Sequence, residues 1–323
     1  METIELVIAQ VRDETPRVRS YVLRRPDGSP LPAFEAGAHV NVYLQAANGD
    51  KLERSYSLCG DPGVQASWRL GVLREEAGRG GSRAVHRDWQ VGARVRCSSP
   101  KNHFPLAANP LPAGAAHLLI AGGIGITPML AMARVLATTG AHWLLHYAAR
   151  SRGEAAFLHE IETLAEGRLH LHFDGGDPAR GMDVQAVLAQ ASPGSHVYVC
   201  GPRALNEAVT GAAAQAGWPP ERVHLESFGA AAPAAGDAAF TVHLQASGRS
   251  IAVGASESIL DALLREGVEP LYDCRRGDCG LCATPVLGGE VEHRDHVLAP
   301  AERASQMCIC VSRPRAGDLV LDL

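Results

Sequence analysis

The sequence predicts a multidomain protein made of a small antiparallel β-barrel, an α/β domain with a parallel sheet and a small α+β domain. Short strands broken by turns fill the first third, strands and helices alternate through the middle, and a hairpin, a helix and a cysteine-rich loop follow. A chain of 323 residues is too long for one ordinary core. We expect domains at residues 1–108, 109–229 and 238–323, with a linker at 230–237.

The composition restricts the class of partner. The 30 basic and 35 acidic residues nearly balance, so we expect neither nucleic acid nor a membrane surface as a partner. No apolar run approaches the roughly 20 residues of a membrane-spanning helix, and the N-terminus has no leader pattern. Eight cysteines without a secretion signal favour thiolate chemistry over disulfides. We therefore expect a cytoplasmic protein, and we expect it to be a monomer.

The first third alternates apolar and polar residues in several short runs. The run at residues 40–44 ends just before Asn48-Gly49, a pair that is typical of a hairpin turn. Similar runs lie at residues 4–8, 68–74 and 93–97. This pattern predicts the antiparallel barrel.

Two features of the predicted barrel suit a flavin. In Arg54-Ser55-Tyr56-Ser57, alternation along a strand places Arg54 and Tyr56 on one face, where a cation and an aromatic ring are available together. In Arg79-Gly80-Gly81-Ser82, glycines precede a predicted helix at 83–89, and such a helix start binds phosphate. Each feature alone is more often an ordinary strand or surface turn. Their occurrence on one barrel favours a flavin site.

The α/β domain begins with an apolar strand at residues 117–121 that runs into a glycine-rich turn. Gly122, Gly123 and Gly125 allow a pyrophosphate to approach the start of the following helix. Thr127 is the predicted helix cap and Pro128 the predicted first residue of the helix. The turn is not the dinucleotide fingerprint G-x-G-x-x-G, because Pro128 stands where the last glycine would be.

The alternation of strands and helices continues to residue 225 and predicts a doubly wound parallel sheet, whose ligands bind at the carboxyl ends of the strands. The predicted strands are 143–148, 169–173, 196–200 and 222–225, and the predicted helices are 154–164, 184–188 and 203–216.

Candidate nucleotide contacts stand at these strand ends. Cys200-Gly201-Pro202 ends one strand, and Cys200 either contacts a nicotinamide ring or is a small buried apolar residue. Asp174 ends another and favours NAD over NADP, because an acid accepts a hydrogen bond from a ribose hydroxyl. Arg150 and Arg152 oppose that preference. Five histidines are scattered over different elements and are interpreted as ordinary rather than metal-binding: His142, His146, His159, His170 and His172.

The last third begins after a stretch of small residues and proline that predicts the linker. A hairpin over residues 240–253 precedes a helix at 258–266 with Ser258 as its cap. The loop that follows holds Cys274, Cys279 and Cys282.

The spacing of these cysteines, C-x4-C-x2-C, is the ligand pattern of a plant-type [2Fe–2S] cluster. The alternatives are a zinc site and cysteines that are merely buried, but a four-residue gap in the first pair fits zinc poorly. Cys308 and Cys310 both qualify as the fourth ligand, since residues two apart on a strand face the same way. Three charged residues of the loop, Arg275, Arg276 and Asp278, either meet a partner or form a solvated surface.

With these residues in view, the sequence resembles the phthalate dioxygenase reductase family, which includes vanillate O-demethylase reductases. The resemblance covers nearly the whole chain and lies in four kinds of segment. These are Arg54 to Cys59 and Gly78 to Ser82 for FMN, Gly122 to Pro128 and Cys200 to Pro202 for NADH, Glu226 to Gly229 over the flavin, and Ile309 to Arg313 for the last cluster ligand. Leu73 departs from relatives that have a basic or polar residue beside the flavin.

The resemblance implies a role for each site residue. It selects Cys310 as the fourth cluster ligand and a β-grasp ferredoxin fold for the last domain. It places Cys200, Ser57 and Phe228 around the hydride-transfer position, with no side chain acting as acid or base. The implied FMN contacts are Arg54, Tyr56, Ser57, Arg74, Gly80, Gly81, Ser82 and Phe228, and the implied NADH contacts are Gly122, Gly123, Gly125, Thr127, Pro128, Arg150, Asp174, Cys200, Gly201 and Pro202.

The implied function is electron transfer from NADH through FMN and the [2Fe–2S] cluster to a Rieske-type aromatic-ring oxygenase or O-demethylase. The chain itself has no C-x-H pair of Rieske type and no readable 2-His-1-carboxylate group. Two alternatives remain: a general NADH diaphorase or ferric reductase, and a non-enzymatic redox sensor.

Overall fold

The computed structural model describes residues 3–229, apart from 46–48, 50, 77 and 79, and residues 236–323. Three predicted features lie partly outside the described residues: Asn48 of the hairpin turn, Arg79 of the phosphate loop and residues 230–235 of the linker. The chain divides into two compact units, residues 1–226 and 227–323.

The first unit begins with a six-stranded antiparallel sheet in the order β4-β3-β6-β1-β2-β5. Its elements are β1 (Thr3–Thr15), β2 (Val18–Arg24), β3 (His39–Gln45), β4 (Lys51–Ser57), β5 (Trp68–Leu73), α1 (Gly81–Asp88) and β6 (Arg94–Ser98). Leu58, just after β4, bridges to Leu70 on β5, so the two ends of the sheet meet. The prediction of an antiparallel barrel is confirmed.

The barrel encloses one apolar core. Alternate residues of β1 point inward, and Leu6 and Ile8 are fully buried. Trp68 and Tyr21 fill the same interior. Strand β2 is not among the predicted strands, because its Val18–Arg24 run mixes arginines among its apolar residues and so shows no clear alternation.

The first unit continues with a five-stranded parallel sheet in the order β11-β10-β7-β8-β9. Its elements are β7 (His117–Gly122), α2 (Ile126–Thr138), β8 (Trp143–Ala149), α3 (Leu158–Leu164), β9 (Leu169–Phe173), α4 (Val184–Ala189), β10 (His196–Cys200), α5 (Arg203–Gln215) and β11 (Val223–Glu226). Short 3-10 turns lie at Gly123–Gly125, Arg152–Glu154, Pro178–Arg180 and Pro220–Arg222. The prediction of a parallel sheet is confirmed.

Two helix starts differ from the predictions. Helix α2 begins at Ile126 after the 3-10 turn, so Thr127 is not its cap; the Thr127 hydroxyl instead donates to the carbonyl of Ile124 at 3.0 Å. Helix α3 begins at Leu158 rather than at residue 154, because Phe157 adopts a left-handed φ of 58° that interrupts the helix. The Phe157 ring lies beside Gly71 of β5, so barrel packing overrides local helix preference.

The barrel and the parallel sheet are joined by a half-buried ion pair. The Arg69 guanidinium donates to both carboxylate oxygens of Glu160 at 2.8 and 2.9 Å, and it lies 5.1 Å from the centre of the Phe157 ring. Arg134 of α2 pairs with the same carboxylate. A bidentate arginine in this position orients the two sheets of the first unit.

The second unit is a mixed five-stranded sheet in the order β13-β12-β16-β14-β15, in which only β12 and β16 are parallel. Its elements are β12 (Phe240–Leu244), β13 (Arg249–Val253), α6 (Ile259–Arg265), β14 (Ala283–Glu292), α7 (Pro300–Arg303), β15 (Gln306–Cys308) and β16 (Arg313–Leu321). The Ser258 hydroxyl accepts the main-chain N–H of Asp261, so the predicted cap of α6 is confirmed. The cysteine loop lies between α6 and β14.

Within the described ranges, every helix is too short or too polar to cross a bilayer.

Candidate functional site

The two predicted flavin features meet in the barrel. Arg54 on β4 lies directly against the start of α1, so that a Cβ atom at Gly81 would stand 2.5 Å from Arg54 Nε. Gly80 precedes the helix with a left-handed φ of 82°, which favours glycine. The helix start therefore places main-chain N–H groups and a guanidinium side by side, which is an anion-binding arrangement.

The other predicted flavin contacts lie in different surroundings, from the barrel core to the surface. Tyr56 packs against the barrel core, and burial raises the pKa of its phenol, which therefore stays protonated. The Ser82 hydroxyl accepts the N–H of Glu75 at 3.0 Å and keeps its own proton to donate. Arg74 lies on the surface, paired with Glu76 at 2.8 Å. Arg74 is therefore less suited to contact a cofactor than Tyr56 and Ser82 are.

The buried carboxylate of Glu226, in the predicted segment Glu226 to Gly229, lies beside the end of barrel strand β4. The Ser57 hydroxyl donates to Glu226 Oε2 at 3.0 Å, and both residues are at most 4% exposed. Glu226 is the last residue of β11, at the carboxyl end of the parallel sheet. The sequence signal for Glu226 itself is an acidic residue that ends a strand at the carboxyl edge of the sheet. Phe228 follows β11 by two residues and belongs to the second unit.

The glycine-rich turn after β7 packs tightly against the end of β10. A Cβ atom on Gly125 would lie 2.0 Å from the carbonyl oxygen of Cys200, and one on Gly122 would lie 2.6 Å from Pro202 Cδ. Cys200 is fully buried. The structure therefore brings the predicted segments Gly122 to Thr127 and Cys200 to Pro202 together at one sheet edge, with glycine required for the contact.

The predicted ribose contacts lie at the ends of the neighbouring strands. The main-chain N–H of Gly175 donates to the carbonyl of Arg150 at 2.9 Å, which joins the loops after β8 and β9. The Asp174 carboxylate accepts the N–H of Gly176 at 2.7 Å. Pro128 lies buried inside α2 instead of opening it. These residues share the carboxyl edge of the sheet, where nucleotides bind in open α/β folds.

Three of the histidines that lie on different elements stand close together. His146 on β8 stacks on His170 of β9 at 4.7 Å and on His172 at 5.4 Å, because parallel pairing sets these positions side by side. Among the described residues, no three His, Cys, Asp or Glu side chains are arranged to hold a single metal ion.

The cysteine loop of the second unit is shaped for close packing. Gly277 and Gly280 have positive φ angles of 79° and 73°, and a Cβ on Gly277 would lie 2.8 Å from Val311 Cγ2. Arg275 also has a positive φ, of 56°. The loop N–H of Arg276 donates to Cys274 Sγ at 3.4 Å. Such N–H groups turned toward sulfur stabilise thiolates.

The cysteine sulfurs approach one another in pairs. Cys282 Sγ and Cys310 Sγ are 3.2 Å apart. Hydrogen bonds from Cys279 and Cys310 lower the pKa of Cys274, and hydrogen bonds from Cys308 and Cys310 lower the pKa of Cys282 to about 4. Since a two-iron cluster is held by four thiolates, the sulfurs gathered here fit that group.

The hypothesis that the loop charges face a partner is wrong for two of the three residues. The side chains of Arg276 and Asp278 are only 10% and 6% exposed, whereas that of Arg275 is 45% exposed. Arg275 lies 4.7 Å from the centre of the Tyr272 ring.

Two family models match the chain. An oxidoreductase NAD-binding domain matches residues 119–211, and a 2Fe-2S iron-sulfur cluster binding domain matches residues 242–315. The chain is 41% identical to the heme-dependent oxidative N-demethylase beta subunit of Ectopseudomonas mendocina, with 99% of each chain covered. It is 40% identical to the vanillate O-demethylase oxidoreductase of a Pseudomonas species, with 99% of this chain and all of the relative covered.

A solved phthalate dioxygenase reductase, a modular structure for electron transfer from pyridine nucleotides to [2Fe-2S], covers 99% of this chain and 98% of its own, with 38% identity and a TM-score of 0.75. The chain belongs to the phthalate dioxygenase reductase family. It is an oxidoreductase with an NAD-binding domain and a [2Fe–2S] domain. Within the family, relatives at about 40% identity over the full chain are reductase subunits of multicomponent oxygenase and demethylase systems.

Proposed function

We propose that the protein is the reductase component of a two-component oxygenase, which passes electrons from NADH through FMN and a [2Fe–2S] cluster to a Rieske-type aromatic-ring oxygenase or O-demethylase. The observation that carries the proposal is the presence in one chain of a barrel anion site, a nucleotide-binding sheet edge and a cysteine loop. We also propose the division into domains at 1–108, 109–229 and 238–323, joined by a linker at 230–237.

The order of cofactors follows from electron counts. A bound flavin supplies the conversion of a two-electron hydride donation into the single-electron transfers that a [2Fe–2S] cluster accepts. Arg54, with the N–H groups of Gly81 and Ser82, binds the FMN phosphate, and Tyr56 and Ser57 hold the ring side. Phe228 covers the flavin in this proposal, as in the family.

The nucleotide is held at the carboxyl edge of the parallel sheet. The turn from Gly122 to Thr127 takes the pyrophosphate, and Cys200 flanks the nicotinamide. Asp174 and Arg150 lie at the ribose end. Catalysis of the hydride step is positioning, which brings reacting atoms to about 3–3.5 Å, and requires no acid or base. Cys274, Cys279, Cys282 and Cys310 are the proposed cluster ligands.

The reductase proposal is tested with the purified protein and a Cys274→Ser variant. We expect NADH to support rapid reduction of cytochrome c and of an added oxygenase component by the wild type. The variant, lacking one cluster ligand, should lose these activities and keep NADH-dependent ferricyanide reduction by the flavin. Slow turnover of the wild type with every acceptor would indicate a redox sensor, and equal rates with unrelated acceptors would indicate a general diaphorase.

The partner class is tested with a panel of oxygenase components. We expect a Rieske-type component to be reduced fastest. The similarity to the beta subunit of a heme-dependent N-demethylase makes a haem oxygenase the competing outcome.

The cofactor choices have their own measurements. Flavin released by acid should run as FMN on chromatography, whereas FAD would contradict the phosphate-site argument. Steady-state rates of the enzyme at equal concentrations of NADH and NADPH test the role of Asp174 in favouring NADH. A preference for NADPH would contradict that role.

A further inference from the structure

Strand β5 of the barrel lies directly against the glycine-rich turn of the parallel sheet. A Cβ atom on Gly71 would stand 2.8 Å from Thr127 Cγ2 and 2.9 Å from Phe157 Cζ. Thr127 and Phe157 are themselves only 1% and 3% exposed. Thr127 belongs to the turn that takes the pyrophosphate in the proposed function. The contact leaves no room for a methyl group between the barrel and this turn, so it requires glycine.

Arg69 fastens the two sheets from the same face of β5. Residues two apart on a strand point the same way, so Arg69 and Gly71 both face the parallel sheet. The Arg69 guanidinium donates to the carbonyl of Cys59 at 3.2 Å as well as to the Glu160 carboxylate of α3. Cys59 follows Ser57, a proposed flavin contact, by two residues. One side chain therefore joins the end of the flavin-side strand to a helix of the parallel-sheet domain.

The backbone of Phe157 is strained at this contact. Its φ of 58° is one that bulky residues rarely adopt. Such a conformation persists only where the surroundings hold the residue in place. Here the ring lies beside Gly71, and the Arg69 guanidinium lies 5.1 Å from its centre. The chain thus keeps a strained residue where the barrel and the parallel sheet meet.

The hydride step gives this contact a role beyond stability. An ion pair removed from water stabilises a fold little more than apolar residues of similar volume would, so stability alone does not account for Arg69. A bidentate arginine fixes direction as well as distance. Hydride transfer needs the reacting atoms within about 3–3.5 Å, and a misplacement of about 1 Å costs about 100-fold in rate. Contacts between the two sheets have to set that spacing.

We propose that Arg69 and Gly71 are positioning residues for hydride transfer, which set the nucleotide-binding turn against the flavin side of the barrel. This inference rests on the proposed function. In the step, NADH gives up a hydride, which is two electrons with one proton, and the flavin takes it up. Arg69 and Gly71 gain and lose no atom, and neither is a catalytic residue.

The test uses the full-length protein with its cofactors and three variants. Gly71→Ala inserts a methyl group between β5 and Thr127. Arg69→Met keeps a long side chain and removes its hydrogen bonds. Gly60→Ala is the matched control, because its methyl group would meet the Cβ and main-chain N of Arg69 at 3.5 Å, an ordinary contact. Stopped-flow absorbance gives the limiting rate of flavin reduction and the NADH concentration that half-saturates it.

Gly71→Ala and Arg69→Met are each expected to lower the limiting rate about tenfold. The half-saturating NADH concentration should rise less than about threefold, because the pyrophosphate and ribose contacts stay in place. NADH deuterated at the transferred position should be slower than NADH in both variants, since the hydride step is the one that is slowed. Gly60→Ala should match the wild type. A wild-type limiting rate in either variant, or slowing without an isotope effect, would overturn the proposal.

Thermal unfolding of the same proteins tests the contact without turnover. Gly71→Ala should lower the melting temperature by on the order of 5 °C, as overpacking does, and Gly60→Ala by less than about 2 °C. Equal melting temperatures would overturn the proposal, because the methyl group would then meet nothing. If Gly71→Ala does not fold, Arg69→Met decides. If NADH does not reduce the flavin of the wild type, the reductase function fails instead; a reduced wild type with equally fast variants refutes the positioning role alone.

Discussion

At the scale of single residues, the fourth cluster ligand is the sharpest question. Sequence alternation left Cys308 and Cys310 equivalent. In the structure, Cys310 Sγ lies 3.2 Å from the sulfur of Cys282, a proposed cluster ligand. Since a ligand of a two-iron cluster has to lie close to the other ligand sulfurs, this contact favours Cys310.

Cys310→Ser is expected to lose the visible absorbance of the cluster. Cys308→Ser is the matched control, because it changes an equally buried cysteine two residues away and should keep the cluster. Loss of the absorbance in Cys308→Ser alone would show that the assignment is reversed. The iron-to-protein ratio gives an independent check.

At the scale of elements, the contact between the β7–α2 turn and the end of β10 depends on Gly125. A methyl group there meets the main chain of Cys200, which cannot move aside as a flexible side chain would. The contact fixes the glycine turn against the segment from Cys200 to Pro202, so the geometry of the nucleotide site depends on it.

Gly125→Ala is expected to destabilise the protein by about 2 kcal/mol or more, as overpacking does, and to raise KM for NADH. Thermal unfolding and steady-state kinetics measure the two effects. Gly211→Ala is the control, because Gly211 lies in the exposed face of α5 with no atom within 4 Å of a new methyl. Alanine there should stabilise the helix by up to about 1 kcal/mol. Identical behaviour of the two variants would contradict the steric argument.

The parallel sheet also predicts a pH dependence of stability. Burial, reinforced by neighbouring histidines, lowers the pKa of His117, His146 and His224 from 6.5 to about 4. The unfolded chain therefore binds more protons than the folded chain between these values. Stability is fully present above pH 6.5 and is lost as the pH falls toward 4.

The melting temperature is expected to fall by on the order of 5 °C between pH 7 and pH 4.5. His146→Asn should make this dependence shallower, because it removes one buried titrating group that faces His170 and His172. His142→Asn changes an exposed histidine and should leave the dependence as it is. A steeper dependence in His146→Asn would contradict the assigned cause.

At the scale of the whole molecule, charge is distributed unevenly. Residues 227–323 contain 13 acidic and 8 basic side chains, whereas residues 1–226 contain 22 of each. The net charge of −5 therefore belongs to the unit that holds the cysteine loop. A partner that approaches this unit is attracted if its docking face is basic.

Electron transfer to the protein partner is expected to slow about tenfold between roughly 10 and 300 mM salt, because salt screens this attraction. Cluster reduction inside the chain at saturating NADH should change by less than about twofold over the same range, since exposed charges contribute little to it. Stopped-flow measurements at several salt concentrations separate the two steps. A partner rate that rises with salt would indicate an acidic docking face.

The sequence by itself determined the kinds of sheet and the order of the candidate sites. Alternation with period two, strand–helix alternation and cysteine spacing are local patterns, and each reports a local backbone requirement. These patterns correctly predicted the antiparallel barrel, the parallel sheet and the cap at Ser258. It fails where distant packing overrides local preference, as at the start of α3.

Only the tertiary structure decided which side chains meet. Glu226 joins Ser57 across 169 positions of sequence, and Asp278 joins Ser227 across 51. Neither pair has a sequence signature, because hydrogen bonds between distant segments depend on how strands are ordered and not on the spacing of residues along them. The same reason explains the stacked histidines, whose positions look scattered until β8 and β9 lie side by side.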